Sequence, residues 1–290
     1  MWIIFALLLS ITTAMMAESN RYFKMEGMRL NFFRVLGIAL LLSPSALILD
    51  FPPPSMFYVA AVLSGTAIAV VPAIKMTLSA HKMGRVTTLS LPVETFVAFG
   101  LWLMVDAALR EYMLGDIWRI PTVLISLALV AVSMFVMRQN DASWRTFLIV
   151  APLGVLSALS AVFAKYVLPP SQSMDDIIAF MLCADIWAVL MGACFLALRK
   201  DFGTKRDKLC PPGMLKAAIF YSMLGLCGQS LFFTSIQYTP NPAYIVAIIM
   251  LSPVWIMLWH KMTGTKDDAN PLAGLVMVLA AVLLIIVTNI

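Results

Sequence analysis

Apolar residues in this chain come in long unbroken runs, without the alternation of half-buried strands or the stripes of surface helices. Ten runs stand out, at approximately 2–17, 30–49, 56–75, 84–105, 119–137, 145–167, 175–198, 213–235, 242–262 and 270–288. A helix needs about 20 apolar residues to cross the hydrocarbon of a bilayer. The runs approach that length, and the first is short enough that it must begin at the membrane edge. A β-barrel is excluded, because its strands are about ten residues of alternating polarity. Turn formers punctuate the runs: Pro52-Pro53-Pro54, Pro169-Pro170, Pro211-Pro212-Gly213 and Pro240-Asn241-Pro242. The charged Lys266-Asp267-Asp268 does the same by polarity. No connection exceeds about 15 residues, so no soluble catalytic domain fits between the spans.

Composition agrees. Of 290 residues, 62% are hydrophobic and 12% charged, where soluble domains sit near half and a quarter. The net charge of +5 does not call for nucleic acid, because the basic residues lie between apolar runs, where they set topology. Even-numbered connections hold only Arg110, Arg119 and Lys165; the other 17 of the 20 Lys and Arg lie on the odd-numbered side. The positive-inside rule then puts odd connections in the cytoplasm and both termini outside. The N-terminus lacks a basic stretch and Met15 and Ala17 make a poor cleavage site, so the first run reads as a retained helix. Cys183, Cys194, Cys210 and Cys227 show no metal spacing, and three lie in apolar runs, which predicts neither disulfide nor metal.

An internal repeat organises the spans. Ser10-x-x-Thr13-Ala14-x-x-Ala17-Glu18 in the first is echoed by Ser157-x-x-Ser160-Ala161-x-x-Ala164-Lys165 in the sixth, 147 residues later. Gly65-Thr66 in the third matches Gly228-Gln229 in the eighth, and Leu91-Pro92-Val93 in the fourth matches Ser252-Pro253-Val254 in the ninth. Five helices per unit is an odd number, so the two units, 1–137 and 138–290, must be inverted in the membrane. The expected fold is therefore all-α and integral to the membrane, ten transmembrane helices in two inverted five-helix repeats. Carriers recurrently use this plan, with the substrate at the midplane between halves.

These residues resemble the drug/metabolite transporter superfamily, specifically its EamA-like ten-helix members. The resemblance spans essentially the whole chain and includes the small-residue first helix of each half and the Pro-Val of the fourth. It implies transport of small metabolites such as amino acids, sugars, nucleotides, amines or drugs, and placement in a bacterial inner membrane. Family members often carry Glu immediately before the fourth-helix proline, whereas here Leu91 precedes Pro92 and Glu94 follows. Well-described members also keep both termini in the cytoplasm, the reverse of the charge bias here.

Candidate chemistry starts from acids at membrane depth, which usually face a cavity or a partner. Glu94 lies about ten residues into its run, and Asp185 lies similarly in the seventh. No Lys or Arg is expected at comparable depth. Two acids without a base suit proton coupling or a cationic ligand; the plainer alternative is a protonated acid bonded to a neighbouring helix. Trp187 and Trp255, with Tyr221, Tyr238 and Tyr244 nearby, can offer ring faces to an ammonium group, or simply fill the core. Gln229 can orient substrate or bond across a helix pair. Ser10 and Ser157, with Thr13 and Ser160, allow close packing or line a path. Pro72, Pro92 and Pro253 free backbone carbonyls. Arg34 and Lys165 are expected to snorkel to headgroups, His81 and His260 to be solvated at the membrane edge, and Trp2, Trp102, Trp118 and Trp144 to mark the interfaces.

Enzyme signatures are absent: no HExxH, no glycine-rich phosphate loop, no Gly-x-Ser-x-Gly. The sequence thus predicts a secondary transporter without cofactor. Its partners would be a small polar substrate, leaning to an amine, amino acid or cation, membrane lipids and a coupling proton. It would act as a monomer or as a homodimer through spans five and ten. A flippase for lipids or lipid-linked substrates is the alternative.

Overall fold

The computed structural model of the chain describes residues 1–52, 55–81, 90–136, 144–198, 210–264 and 270–288. Every regular element among them is helical: α1 (Trp2–Phe23), α2 (Gly27–Leu42), α3 (Met56–His81), α4 (Leu91–Val105), α5 (Ala107–Leu114), α6 (Arg119–Val136), α7 (Trp144–Val167), α8 (Met174–Ala197), α9 (Met214–Tyr238), α10 (Pro242–Ile249), α11 (Ser252–Thr263) and α12 (Pro271–Thr288). A bilayer core offers no water to satisfy backbone N–H and C=O groups, and helices satisfy them internally. Seven of the described helical spans are long and apolar enough to cross a membrane, or eight if the bent pair α4 and α5 is one span. The apolar stretches of α6 and α12, Arg119–Ser133 and Pro271–Leu284, are shorter. The basic residues of 82–89, 137–143, 199–209 and 265–269 lie outside the described residues, as does the side chain of His81.

The helices depart from the apolar runs in three informative places. α1 continues to Phe23, six residues past its run, because its polar end is buried and partnered: Asn20 donates to the Met76 carbonyl at 2.7 Å, and Glu18 meets His260 at 3.1 Å. α4 begins among the described residues at Leu91, which puts Glu94 in its first turn. The ninth run is broken into α10 and α11 at Met250-Leu251, just ahead of Pro253 in the first turn of α11.

Helix pairs pack α3 on α8 and α7, α1 on α9 and α10, α4 on α7, and α6 on α12, while α2 touches α3, α8 and α9. Small residues permit such approaches where lipid supplies no hydrophobic drive between helices. At Gly65 an added Cβ would collide with the Ala184 carbonyl of α8. At Gly154 it would strike the Ser90 carbonyl at the start of α4. The centre of the core is α10, every residue of which is buried. A helix that is apolar on all sides needs such surroundings. Two of the residues expected at the interfaces are core residues instead: Trp2 and Trp102 are buried, and the Trp102 indole donates to the Pro240 carbonyl at 2.8 Å. Trp118 is exposed.

Candidate functional site

Pro72 interrupts the hydrogen-bond ladder of α3, and this single residue organises one wall of a cavity. Having no N–H, it leaves the carbonyl of Ile68, four residues earlier, without its helical donor. Asn31 of α2 supplies one, its Nδ2 lying 3.0 Å from the Ile68 carbonyl and 2.8 Å from that of Ala69. Asn31 Oδ1 in turn accepts from Arg34 Nε at 2.9 Å, and Arg34 Nη2 reaches the Ile68 carbonyl at 3.4 Å. The guanidinium is therefore held in place on the inner face of α2, 3% exposed. It does not snorkel; its Nε and Nη2 donate inside the bundle.

The cavity it lines has a volume of about 230 Å³ and lies among α1, α2, α3, α4, α7 and α9, with Ile249 of α10 at one end. Of the residues singled out in the sequence, Glu94, Gln229 and Ser157 line it, together with Thr12, Thr13 and Ser160. Arg34 and Lys75 line it too, and Lys75 acts electrostatically on Glu94. The expectation that no base lies at the depth of the acids is thus wrong. Arg34 sits inside the second apolar run and Lys75 closes the third, but only the packing of α2 and α3 brings both to the cavity of Glu94.

Asp185 stands behind this wall, fully buried on α8. Gln229 Nε2 donates to its Oδ1 at 3.1 Å. The Gln229 NH₂ thus faces Asp185, as an accepting carboxylate oxygen requires, and Oε1 is left over. Gln229 Oε1 and Asp185 Oδ2 are buried without a hydrogen-bond partner. Arg34 acts on Asp185 through space, without a direct ion pair. Buried polar groups are nearly always satisfied, so unsatisfied ones beside a cavity invite a ligand.

The remaining candidates bind helices together. Trp255 Nε1 donates to Ser10 Oγ at 2.8 Å, tying α11 to α1. Trp187 Nε1 donates to Thr66 Oγ1 at 3.0 Å, tying α8 to α3. Two positions from Asp185 on a helix is the opposite side, so Trp187 offers no ring to that acid. Ser160 Oγ donates to Ser64 Oγ at 3.0 Å. Lys165, expected at the headgroups, is buried and donates to the Gln237 carbonyl at 2.9 Å. His260, expected in solvent, is fully buried against Glu18. No cluster of three or more His, Cys, Asp or Glu able to hold a metal occurs among the described residues.

No protein-family model matches the chain, and no curated protein matches it. A solved structure described as "Crystal structure of protein" is similar in fold, with a TM-score of 0.59 over 98% of this chain and 97% of that one. Sequence identity is 12%, so the likeness speaks for the arrangement of helices alone.

Proposed function

We propose that the chain is a secondary transporter that carries a small zwitterionic metabolite through the cavity between α3, α4, α7 and α9 by alternating access. The observation that carries this reading is the meeting of opposite charges around one cavity. Arg34, Lys75, Glu94 and Gln229 all line it, with Lys75 acting on Glu94 and Arg34 on the Asp185 that holds Gln229. A carboxylate on the cargo suits a braced guanidinium. An ammonium group suits Gln229 Oε1, polarised by Asp185 behind it, and Glu94. Of the amine, amino acid or cationic compound toward which the sequence leaned, the amino acid suits this lining best, because a cargo with a cation alone would bring no counter-group to Arg34.

Ten membrane crossings in two inverted halves, 1–137 and 138–290, remain our reading of the topology. Helix pairing supports it. α1 packs on α9 as its counterpart α7 packs on α3, and α4 packs on α7 as α10 and α11 pack on α1. The pairs α2 with α8, α4 with α10 and α6 with α12 are then self-matched, as a two-fold relation requires. A helix broken at the cavity, as at Met250-Leu251, is a frequent device of such carriers. The basic odd connections would face the cytoplasm of a bacterial inner membrane, with Glu94 exchanging a proton against substrate.

Purified protein in liposomes tests this. Exchange of a radiolabelled small amino acid against an internal pool is expected, with loss in Arg34→Gln. Glu94→Gln should retain exchange but lose uptake driven by a pH gradient. Scrambling of dye-labelled lipid without exchange of any small metabolite would replace the carrier by the flippase reading.

A further inference from the structure

A second cavity, of about 330 Å³, lies at the elbow between α4 and α5. Asp106 makes the elbow. Its backbone leaves the helical region at φ −93 and ψ 101, its N–H closes α4 on the Trp102 carbonyl, and its Oδ1 caps α5 through the Leu109 N–H at 3.0 Å. The two helices consequently bend by 101°. The facing wall is Pro240 and Tyr244, at the start of α10. Trp102 holds the Pro240 carbonyl, and the Asn241 side chain caps α10 through the Ala243 N–H at 2.9 Å.

The lining chemistry is selective. Asp106 is its one ionisable carboxylate, no Lys or Arg lines it, and the rings of Tyr112 and Tyr244 complete the walls. Aromatic ring faces are electron-rich and attract cations. Tyr112 already receives the Arg119 guanidinium 4.0 Å from its centroid. Tyr244 is fully buried, and its hydroxyl has no hydrogen-bond partner. An anion here would face Asp106 with no Lys or Arg among the lining residues, and an apolar ligand would leave the Tyr244 hydroxyl without a partner. Lys165 acts on Asp106 from α7 while bonded to the Gln237 carbonyl, so an arriving cation competes with it for one carboxylate. The pairing of acid and aromatic ring expected beside Glu94 is found here instead.

Position gives the cavity its meaning. Tyr244 lines the elbow cavity and Ile249 the central one, and both belong to the eight-residue helix α10. At about 1.5 Å per residue the two are roughly 8 Å apart along that helix. We propose that the elbow cavity is a second binding site, for a compound bearing an ammonium group, at the other end of α10 from the central cavity. Its service as an antechamber rests on the transporter reading; the binding itself does not.

The test is calorimetric titration of the purified full-length protein with tetramethylammonium. Saturable binding is expected, weakened at least about tenfold by Asp106→Asn and by Tyr244→Leu. Ala108→Trp, placed on an exposed position of α5, fills the cavity without touching the core and should abolish binding. Binding lost in Glu94→Gln yet intact in Ala108→Trp places the probe in the central cavity and overturns the proposal, as does absence of saturable binding. Nanodiscs of phosphatidylglycerol, with and without phosphatidylethanolamine, separate two sources of the ammonium group. Competition by the ethanolamine lipid assigns the site to a headgroup, and no competition assigns it to a soluble ligand; either keeps the site. Failure of exchange in liposomes with tetramethylammonium binding intact sinks the carrier reading alone.

Discussion

Two buried carboxylates, Asp185 and Glu18, stand in contrasting company. Glu18 Oε1 meets His260 Nε2 and Arg21 Nη1, each at 3.1 Å, which joins the ends of α1 and α11. Asp185 Oδ1 meets a neutral amide, and its nearest base acts on it only through space. A carboxylate bonded to an arginine and a histidine within its own interface holds helices together. One left half-satisfied behind a cavity costs stability and persists where a ligand completes it. Burial alone does not distinguish them, and each has one buried oxygen without a hydrogen-bond partner, Glu18 Oε2 and Asp185 Oδ2; the partners of the other oxygen, and the cavity beside Gln229, do.

The contrast is sharpest in transport. Asp185→Asn should lower exchange by at least about tenfold, equivalent to about 1.4 kcal/mol, because an Asn can donate as well as accept and no longer fixes the Gln229 amide. Its thermal midpoint should stay put or rise. Normal exchange in this variant would remove Asp185 from the site. Glu18→Ala should do the reverse, destabilising the fold on the order of 3 kcal/mol by stranding buried His260. Denaturation of the detergent-solubilised protein measures it; a loss no larger than that of Asp185→Asn would erase the distinction.

Asn31→Leu removes the donor to the Ile68 and Ala69 carbonyls, a loss of about 1–3 kcal/mol. It should also release the Arg34 guanidinium, so that exchange falls along with stability. Stability lost with exchange unchanged would show that Arg34 needs no brace. The smallest effect is expected at Trp255→Phe, which gives up one bond to Ser10 and about 1 kcal/mol. Exchange should survive it, and a large transport defect there would draw α11 into the site.

How much of this was legible beforehand follows from what each residue responds to. Glu94, Gln229 and Ser157 were legible because a polar side chain within an apolar run is conspicuous on its own. Arg34 was not, because its place depends on a proline 38 residues away that frees a carbonyl in another helix. His260 was misread for the same reason, its partner Glu18 lying 242 residues distant. Trp187 and Trp255 were visible as aromatic residues near acids in the chain, but helical periodicity and tertiary packing aimed their indoles at Thr66 and Ser10.

The sequence by itself determined that this chain is helical and made for a bilayer, since continuous apolar runs satisfy their backbone locally and need no surface of charge. It also marked the prolines that free backbone carbonyls, because proline acts within its own turn, but not the 101° elbow at Asp106. Which charges meet was decided only by tertiary structure. Each pairing of Arg34, Lys75, Glu94 and Asp185 joins different helices, and helix rotation, fixed by small residues at the contacts, chooses which side chains face one another. The same holds for the two cavities at the ends of α10: a break in a run can be read along the chain, but an enclosed space exists only once other helices surround it.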